Sequence, residues 1–339
     1  MEAMNRLVPV PDTSHANAAR REVESVARAC GFSDEDVGRA ALVALEMATN
    51  VARHAGGGHL LLRAVTAEDR KGLELISIDR GPGMADVAHS MSDGVSTYGS
   101  AGAGLGAIRR QADEFDIHSQ TGPAPGHGTA IYVRLWPGRR APVEKHALIG
   151  SVSVPKPEEL VCGDGVAVVH AGSVVSLLVV DGLGHGVAAQ QAANAACEVF
   201  KKGVVSSPVM AAQRIHAGLR GTRGAAIGVA NVDLAASSLT FSGIGNIAGL
   251  AAAGGQVRRF VSMNGIAGHT AGQVREFVYP CDGPGLVVIL HSDGIGTNWS
   301  LDRYPRLAAR HPALIAAILY RDGTRGRDDA TVLVLRRLP

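Results

Sequence analysis

Two spacings of apolar residues alternate along the chain, one near 3.6 and one near 2, and they predict helices and strands in a definite order. Ser14 to Cys30 has helical spacing and stops at Gly31. A second helix opens at Ser33, the expected N-cap, with Asp36 in the capping-box position where Glu or Gln is preferred. It runs through Ala40, Val43, Leu45, Met47 and Val51 to Ala55 and is stopped by Gly56, Gly57 and Gly58. His59 to Val65 and Leu73 to Asp79 read as strands. Residues 80–104 are rich in Gly and Ser and predict a long loop, a kind that usually serves function. A helix over Ala107 to Glu114 and two strands, the second Thr129 to Trp136, close this half. The second half is richer in strands: Leu148 to Val154, Val166 to His170, Val174 to Val180, Ala225 to Val232, Ser238 to Phe241, Ala248 to Ala253, Val257 to Phe260, Val274 to Val278, Leu286 to Leu290 and Ala330 to Arg336. Helices are expected over His185 to Phe200, Pro208 to Leu219 and Pro312 to Tyr320. Strands in number with helices in clusters predict layered sheets flanked by helices.

Trp136-Pro-Gly-Arg-Arg-Ala-Pro-Val-Glu144 joins proline, glycine and charge directly after a strand, which marks a linker. Domains are therefore expected over residues 1–138 and 147–339, with residues 139–146 between them. The length of 339 residues suits two domains. A hydrophobic share of 46% against 19% charged predicts packed cores and excludes a disordered chain. A net charge of +2 and an aromatic share of 4% exclude a nucleic-acid footprint and a stacking surface for single strands. Cys30, Cys162, Cys197 and Cys281 form no CxxC pair, which excludes a disulfide scaffold and a thiolate zinc site and fits a reducing cytosol. No run approaches the roughly 20 apolar residues of a membrane span, and the N-terminus has no apolar stretch before Pro9 that would make a signal peptide. The expected location is the cytoplasm.

Glu46 and Asn50 lie four apart on the second helix, hence one turn apart on one face, in an otherwise apolar stretch. Taken alone, such a pair is more often solvated surface than site. Asp79-Arg-Gly-Pro-Gly83 ends a strand, where an Asp can accept from an exocyclic amine and glycines let a flat ring approach the backbone. Gly102-Ala-Gly-Leu-Gly106 opens a helix and aims N–H groups and the positive dipole end at an anion. No GxxxxGK[ST] is present, and the glycine turn follows a loop rather than a strand, so neither a P-loop nor a dinucleotide fingerprint is met.

In this order the residues resemble the GHKL ATPase family: an E-x-x-x-N helix (Glu46, Asn50), a D-x-G-x-G (Asp79, Gly81, Gly83), a glycine lid turn (Gly102, Gly104, Gly106) and a G-x-G-T before a strand (Gly126-His-Gly-Thr129). Within it, Ala-Asp-Glu-Phe-Asp-Ile after the lid helix looks like the small bacterial anti-sigma-factor and stress-switch kinases. The resemblance covers about residues 35–135 and implies a Bergerat-type α/β sandwich that binds ATP with Mg²⁺. It implies Glu46 as general base, Asn50 as the Mg²⁺ ligand, Asp79 supported by Thr129 as the reader of the adenine amine, Gly81 and Gly83 at the base, and Gly102, Gly104 and Gly106 around the phosphates. Arg53 and His54, one turn beyond Asn50, are expected as surface residues at a helix end.

Four aspartates stand at strand edges in the second half: Cys-Gly-Asp164-Gly, Val-Val-Asp181-Gly-Leu-Gly-His-Gly, His-Ser-Asp293-Gly-Ile-Gly and Gly-Arg-Asp328-Asp-Ala-Thr. Each Asp-Gly alone is an ordinary turn. Together they would line one edge of a sheet core, and oxygen-only donors favour Mg²⁺ or Mn²⁺ over zinc. The strings resemble the metal-dependent (PPM-type) Ser/Thr phosphatases, in particular the branch of the sporulation stage-two-E phosphatase, over about residues 145–337. The resemblance implies an α-β-β-α sandwich holding two Mn²⁺ or Mg²⁺, with Asp181 bridging them, the Gly182 carbonyl as a further ligand, and Asp164, Asp293 and Asp328 completing the shells. Water is then the nucleophile, with no covalent phospho-enzyme. Cys162 stands where Gly is usual, Asp329 where Asn is often found, and His185 is expected to cap or pack a helix start.

The fold class expected is thus a two-domain α/β (α+β) protein, and the function a bifunctional switch: ATP-dependent phosphorylation of Ser or Thr on a small STAS-type antagonist or stress-complex partner by the first half, and removal of that phosphate by the second. The resemblance puts a sigma factor among the partners, and a homodimer among the states, because kinases of this kind often dimerise. The alternative is that the first half is a nucleotide-gated binding module that transfers nothing and regulates the phosphatase.

Overall fold

Strands β1 (Arg6–Val10), β2 (Gly58–Ala67), β3 (Arg70–Asp79), β4 (Glu114–Gln120) and β5 (Gly128–Leu135) form one antiparallel sheet in the order β1-β2-β3-β5-β4. The computed structural model describes residues 4–67, 70–91, 104–122, 126–142, 146–203 and 207–338. Helices α1 (Ala16–Ala29) and α2 (Asp34–Ala55) bury Val23, Val43, Met47 and Val51 against Leu60, Leu62, Leu73, Leu75, Ile131 and Val133 on one face of the sheet. The short α3 (Val87–Ser90) and α4 (Gly104–Gln111) follow. The apolar pattern misses β1, because Pro9 interrupts it. The strand lies at the sheet edge, where a missing N–H is tolerated.

The start of α2 is as the sequence predicts: the Ser33 hydroxyl accepts from the Asp36 N–H at 3.2 Å, and Asp34, Glu35 and Asp36 complement the helix dipole. Gly56 ends it in the left-handed conformation, φ 70°. Buried Arg39 ties this helix to the sheet, donating to Asp113 at 2.9 Å, Asp36 at 2.8 Å and the Trp136 carbonyl at 2.8 Å. The register of Glu46 and Asn50, further along the same helix, follows from that anchor.

Strand alternation sends Leu61, Ile76, Ile78, Ala130 and Tyr132 to the other face of the sheet, and all five are buried. On that face Glu74 is wholly buried between Arg63 (Nε to Oε1, 2.7 Å) and Arg134 (Nη2 to Oε2, 2.7 Å). Burial alone would raise its carboxyl. The two guanidinium groups overcome that and hold it at about 2, against an ordinary 4.5. A folded value below the unfolded one stabilises above about pH 4.5 and is lost as pH falls toward 2. Glu74→Gln is therefore expected to cost about 3 kcal/mol at neutral pH, read in denaturant melts. The same substitution should flatten the acid limb of the stability profile; an unchanged limb would mean the pair adds no charge-dependent stability.

The chain divides into two compact units, Asn5–Val143 with Ser300–Asp322, and Glu144–Trp299 with Gly323–Pro339. The expected linker is residues 139–146; the compact units part near residue 143 and again at residues 300 and 322. Residues 300–322, holding nearly all of α7 (Pro312–Gly323), group with the first unit. The physical reason lies in the helix itself. Pro312 to Arg321 are all buried, so α7 has no polar stripe to turn to water. Its start is tied to the first unit's sheet. The His311 N–H donates to Asp116 at 2.7 Å, Arg310 pairs with Asp116 at 3.2 Å, and the His311 ring stacks on Tyr132 at 3.9 Å.

The second unit holds two five-stranded antiparallel sheets. Its strands are β6 (Ala147–Val154), β7 (Asp164–Ala171), β8 (Val174–Gly182), β9 (Ala225–Asp233), β10 (Ser238–Ile244), β11 (Ala248–Ala253), β12 (Gln256–Arg259), β13 (Phe277–Pro280), β14 (Val287–His291) and β15 (Ala330–Arg337), in the orders β13-β10-β9-β8-β7 and β12-β11-β14-β15-β6. Leu177, Val179, Phe241, Val288, Leu290 and Leu333 fill the space between the sheets. Helices α5 (Val187–Lys202) and α6 (Pro208–Gly218) cover the outer face of the first sheet, over Leu178, Val180 and Ile227. Burial on both faces explains why β8 reads as an unbroken apolar run. The last expected strand before residue 286 forms over Phe277–Pro280 rather than Val274 to Val278, in register with Ser238–Phe241 of β10.

Candidate functional site

Glu46 and Asn50 stand half-buried on α2. The first residue of α4 comes up against both: a Cβ on Gly104 would lie 3.1 Å from Glu46 Oε2 and 3.4 Å from Asn50 Oδ1. A side chain there would fill the space between the helices. Asn50 Nδ2 is buried without a hydrogen-bond partner among the described residues, an arrangement that costs free energy unless a ligand supplies an acceptor. The lid helix starts earlier than Ala107 and ends before Glu114. Gly104 and Gly106 thus belong to its first turn, and Glu114 opens β4, where it accepts from Trp136 Nε1 and Tyr132 OH. Gly102 lies outside the described residues. Arg53 and His54 are exposed, as expected.

Asp79 ends β3 and is buried. Its Oδ1 accepts the Gly81 N–H at 2.9 Å and the Thr129 N–H at 3.0 Å, so one oxygen is fixed by two loops. Burial pushes the carboxyl up, while those amides and the charges of Arg321 and His127 pull against it. The Thr129 hydroxyl meets Ser119 Oγ at 2.8 Å, which also takes the Met84 N–H at 2.8 Å. Gly81 and Gly83 close against Ala55 and the Gln120 carbonyl with no room for a Cβ. The donors and acceptors fit a nucleotide: an aimed carboxylate for an amine, an unpaired amide, and a carboxylate one helical turn from it.

In the second unit Asp181, Asp293 and Asp328 line one cavity of about 560 Å³, together with Asn246 and Asn264. Asp181 sits at the end of β8, Asp293 just after β14 and Asp328 just before β15. The turns that carry the last two interlock: a Cβ on Gly294 would fall 1.9 Å from the Asp329 carbonyl oxygen, so only glycine lets the two loops meet. Burial first, then Asp293, Asp328 and Asp329, push the Asp181 carboxyl up to about 7. Asp293 is raised likewise by burial and Asp328, with Arg325 and the Asn246 amide (2.7 Å) pulling against it. Asp164 faces Asp181 across β7 and β8 but is not on the cavity wall; it is buried and accepts from Ser292 Oγ at 2.7 Å. Gly182 ends β8, off the cavity wall, its N–H on the Gly163 carbonyl at 3.1 Å. Asp329 accepts from the N–H groups of Lys156 and Gly163 at 2.8 and 2.9 Å. His185 does not cap α5. Gly186 is the N-cap, and His185 Nδ1 meets Glu159 at 2.5 Å. Among the described residues no three His, Cys, Asp or Glu side chains close into a ligand set. The carboxylates stand around an open cavity, and their all-oxygen chemistry and mutual repulsion fit hard divalent cations.

Asn246 and Ser292 were not read from the sequence as site residues. Ser292 stands next to Asp293 and was within reach of the motif. Asn246 follows Gly245 in an unremarkable turn, and no local signal separates it from other turn residues.

Residues 10–135 match the histidine kinase-like ATPase domain family. The serine/threonine-protein kinase RsbT of Bacillus subtilis (strain 168) is 38% identical over 119 residues, which cover 35% of this chain and 86% of that protein. Among solved structures, one from work on the bacterial stressosome as a modular system adapted to control secondary messenger signalling is 27% identical with a TM-score of 0.52. It covers 57% of this chain and 100% of its own. RsbX in complex with magnesium matches with a TM-score of 0.53 at 16% identity, over 59% of this chain and 99% of that one, a likeness of fold. Through its N-terminal part the chain belongs to the histidine kinase-like ATPase family and is a relative of the RsbT kinase, and its C-terminal part shares its fold with the RsbX structure. Among the described residues no helix is long and apolar enough to cross a membrane.

Proposed function

We propose that this chain is a two-way phosphorylation switch acting on a STAS-type antagonist or stress-complex scaffold. The first unit moves the γ-phosphoryl group of ATP to a Ser or Thr of that partner, and the second removes it. The observation that carries the reading is the close approach of Gly104 to Glu46 and Asn50 beside an Asp79 already fixed by two loops. In the transfer, the hydroxyl oxygen bonds to the γ-phosphorus, the bridge to ADP breaks, and the hydroxyl proton goes to Glu46. Asp79 accepts from the adenine amine, and Asn50 together with the α4 start holds the Mg²⁺-triphosphate end. The likeness to RsbT and to a stressosome structure supports both the kinase direction and the kind of partner.

For the second unit, Asp181, Asp293 and Asp328 would hold the divalent cations, with Asp164 and the Gly182 carbonyl adjoining. Cations bound there neutralise phosphoryl oxygens and make water a better nucleophile. Asn246 fixes the direction of Asp293 on the cavity wall, and the amides of Lys156 and Gly163 fix Asp329, the chain neighbour of Asp328.

The test is radiolabelled ATP with a STAS-domain partner. Glu46→Ala is expected to lower transfer by about a hundred-fold or more with nucleotide affinity kept. Binding of ATP by the unaltered chain with no transfer would instead make the first unit a nucleotide-gated binding module.

A further inference from the structure

Arg321, near the end of α7, lies 242 positions along the chain from Asp79, yet donates to its carbonyl oxygen from Nη1 at 2.8 Å. Its Nη2 donates to the Gly126 carbonyl at 3.2 Å, and Asp322 grips Nε and Nη2 at 2.9 and 2.8 Å. The guanidinium is buried, and four of its five N–H groups make these bonds. The return contact also exists: Arg80, the residue after Asp79, donates to the Arg321 carbonyl and lies 3.7 Å from Asp322. The two carbonyls that Arg321 joins belong to the end of β3 and to the turn before β5. These are the same two stretches whose N–H groups, from Gly81 and Thr129, hold Asp79 Oδ1. Gly128 makes the junction feasible, since a Cβ there would lie 2.3 Å from the Asp79 carbonyl oxygen and 3.0 Å from Arg321 Nη1.

We propose that Arg321 is a positioning residue for nucleotide recognition: it fixes the spacing of the two loops that aim the Asp79 carboxylate at the adenine amine. The proposal rests on the nucleotide reading of the first unit. A guanidinium suits the task because its planar fork reaches two carbonyls at once, which an ammonium cannot match in geometry. Its charge also opposes the effect of burial on Asp79 and so favours the acceptor form an amine needs. The residue comes from between the Asp293 and Asp328 motifs in sequence, so a stretch enclosed by the phosphatase signatures completes the pocket of the kinase-like unit.

The experiment compares affinities of the full chain for ATP and for inosine triphosphate, which lacks the exocyclic amine, by titration calorimetry. The unaltered chain is expected to prefer ATP by about tenfold or more, as a charge-assisted hydrogen bond would give. Arg321→Met should weaken ATP by a similar factor and leave inosine triphosphate unchanged, so that the preference vanishes. Arg321→Lys should keep part of it and carries the test if the methionine variant does not fold. A preference equal to that of the unaltered chain, or equal weakening of both nucleotides, overturns the positioning role. An unaltered chain that binds neither nucleotide overturns the nucleotide reading itself, and one that binds both equally removes Asp79 as the reader.

Discussion

Replacing Asp181 by Asn is expected to lower manganese-dependent hydrolysis of p-nitrophenyl phosphate by about a thousand-fold, equal to about 4 kcal/mol of transition-state stabilisation. The same change is expected to make the metal-free protein more stable. Both follow from one arrangement. Asp181 is surrounded by Asp293, Asp328 and Asp329, and its carboxyl is already pushed up to about 7 by burial and those charges. A carboxyl raised this far favours the folded state at low pH and loses that advantage as pH rises through about 7. Asparagine keeps the shape and removes the charge. The metal-free variant should therefore gain about 1–2 kcal/mol above pH 7, a rise of a few degrees in melting temperature. Calorimetry with and without manganese separates the outcomes. Activity and stability falling together would mark Asp181 as a structural residue, and full activity would remove it from the cation site.

What was legible in the sequence is what local rules encode. The i, i+4 spacing of Glu46 and Asn50 and the cap at Ser33 require only the helix they sit on, and each is in place. The four aspartates are marked by the turns that carry them. Their order along the chain gave the edge location because β7, β8, β14 and β15 were readable from apolar runs. Where the reading stopped, the missing information was tertiary. The Asp-Gly turn of Asp164 does not announce that the residue is buried opposite Asp181 across β7 and β8, with Ser292 donating to one of its oxygens. His185 lies within the Asp181 string, but its partner Glu159 is 26 positions away. The ownership of α7 was also out of reach. A helix apolar from Pro312 to Leu319 announces burial, and nothing in its own spacing says against which unit.

That ownership carries the second large effect. A chain ending at Val143 contains the whole histidine kinase-like match, residues 10–135, and by sequence is a complete domain. The structure says otherwise, because residues 300–322 belong to the same unit. Without them Asp116 loses Arg310 and the His311 amide, Tyr132 loses its stacked ring, and the carbonyls of Asp79 and Gly126 lose Arg321. Leu61, Ile76 and Ile78, buried in the intact chain and on the same sheet face as Tyr132, away from the α1–α2 core, are expected to become exposed in the fragment. Their exposure costs about 1.5–3 kcal/mol each, which together approaches the whole stability of an ordinary domain, about 5–15 kcal/mol. The fragment 5–143 is therefore expected to aggregate or to unfold without a cooperative transition. Fusing residues 300–322 behind residue 143 through a flexible linker should restore a measurable melt, and Arg310→Ala with His311→Ala in that fusion should weaken it. A fragment 5–143 that melts cooperatively at the temperature of the intact chain would show that α7 is a passenger on this unit.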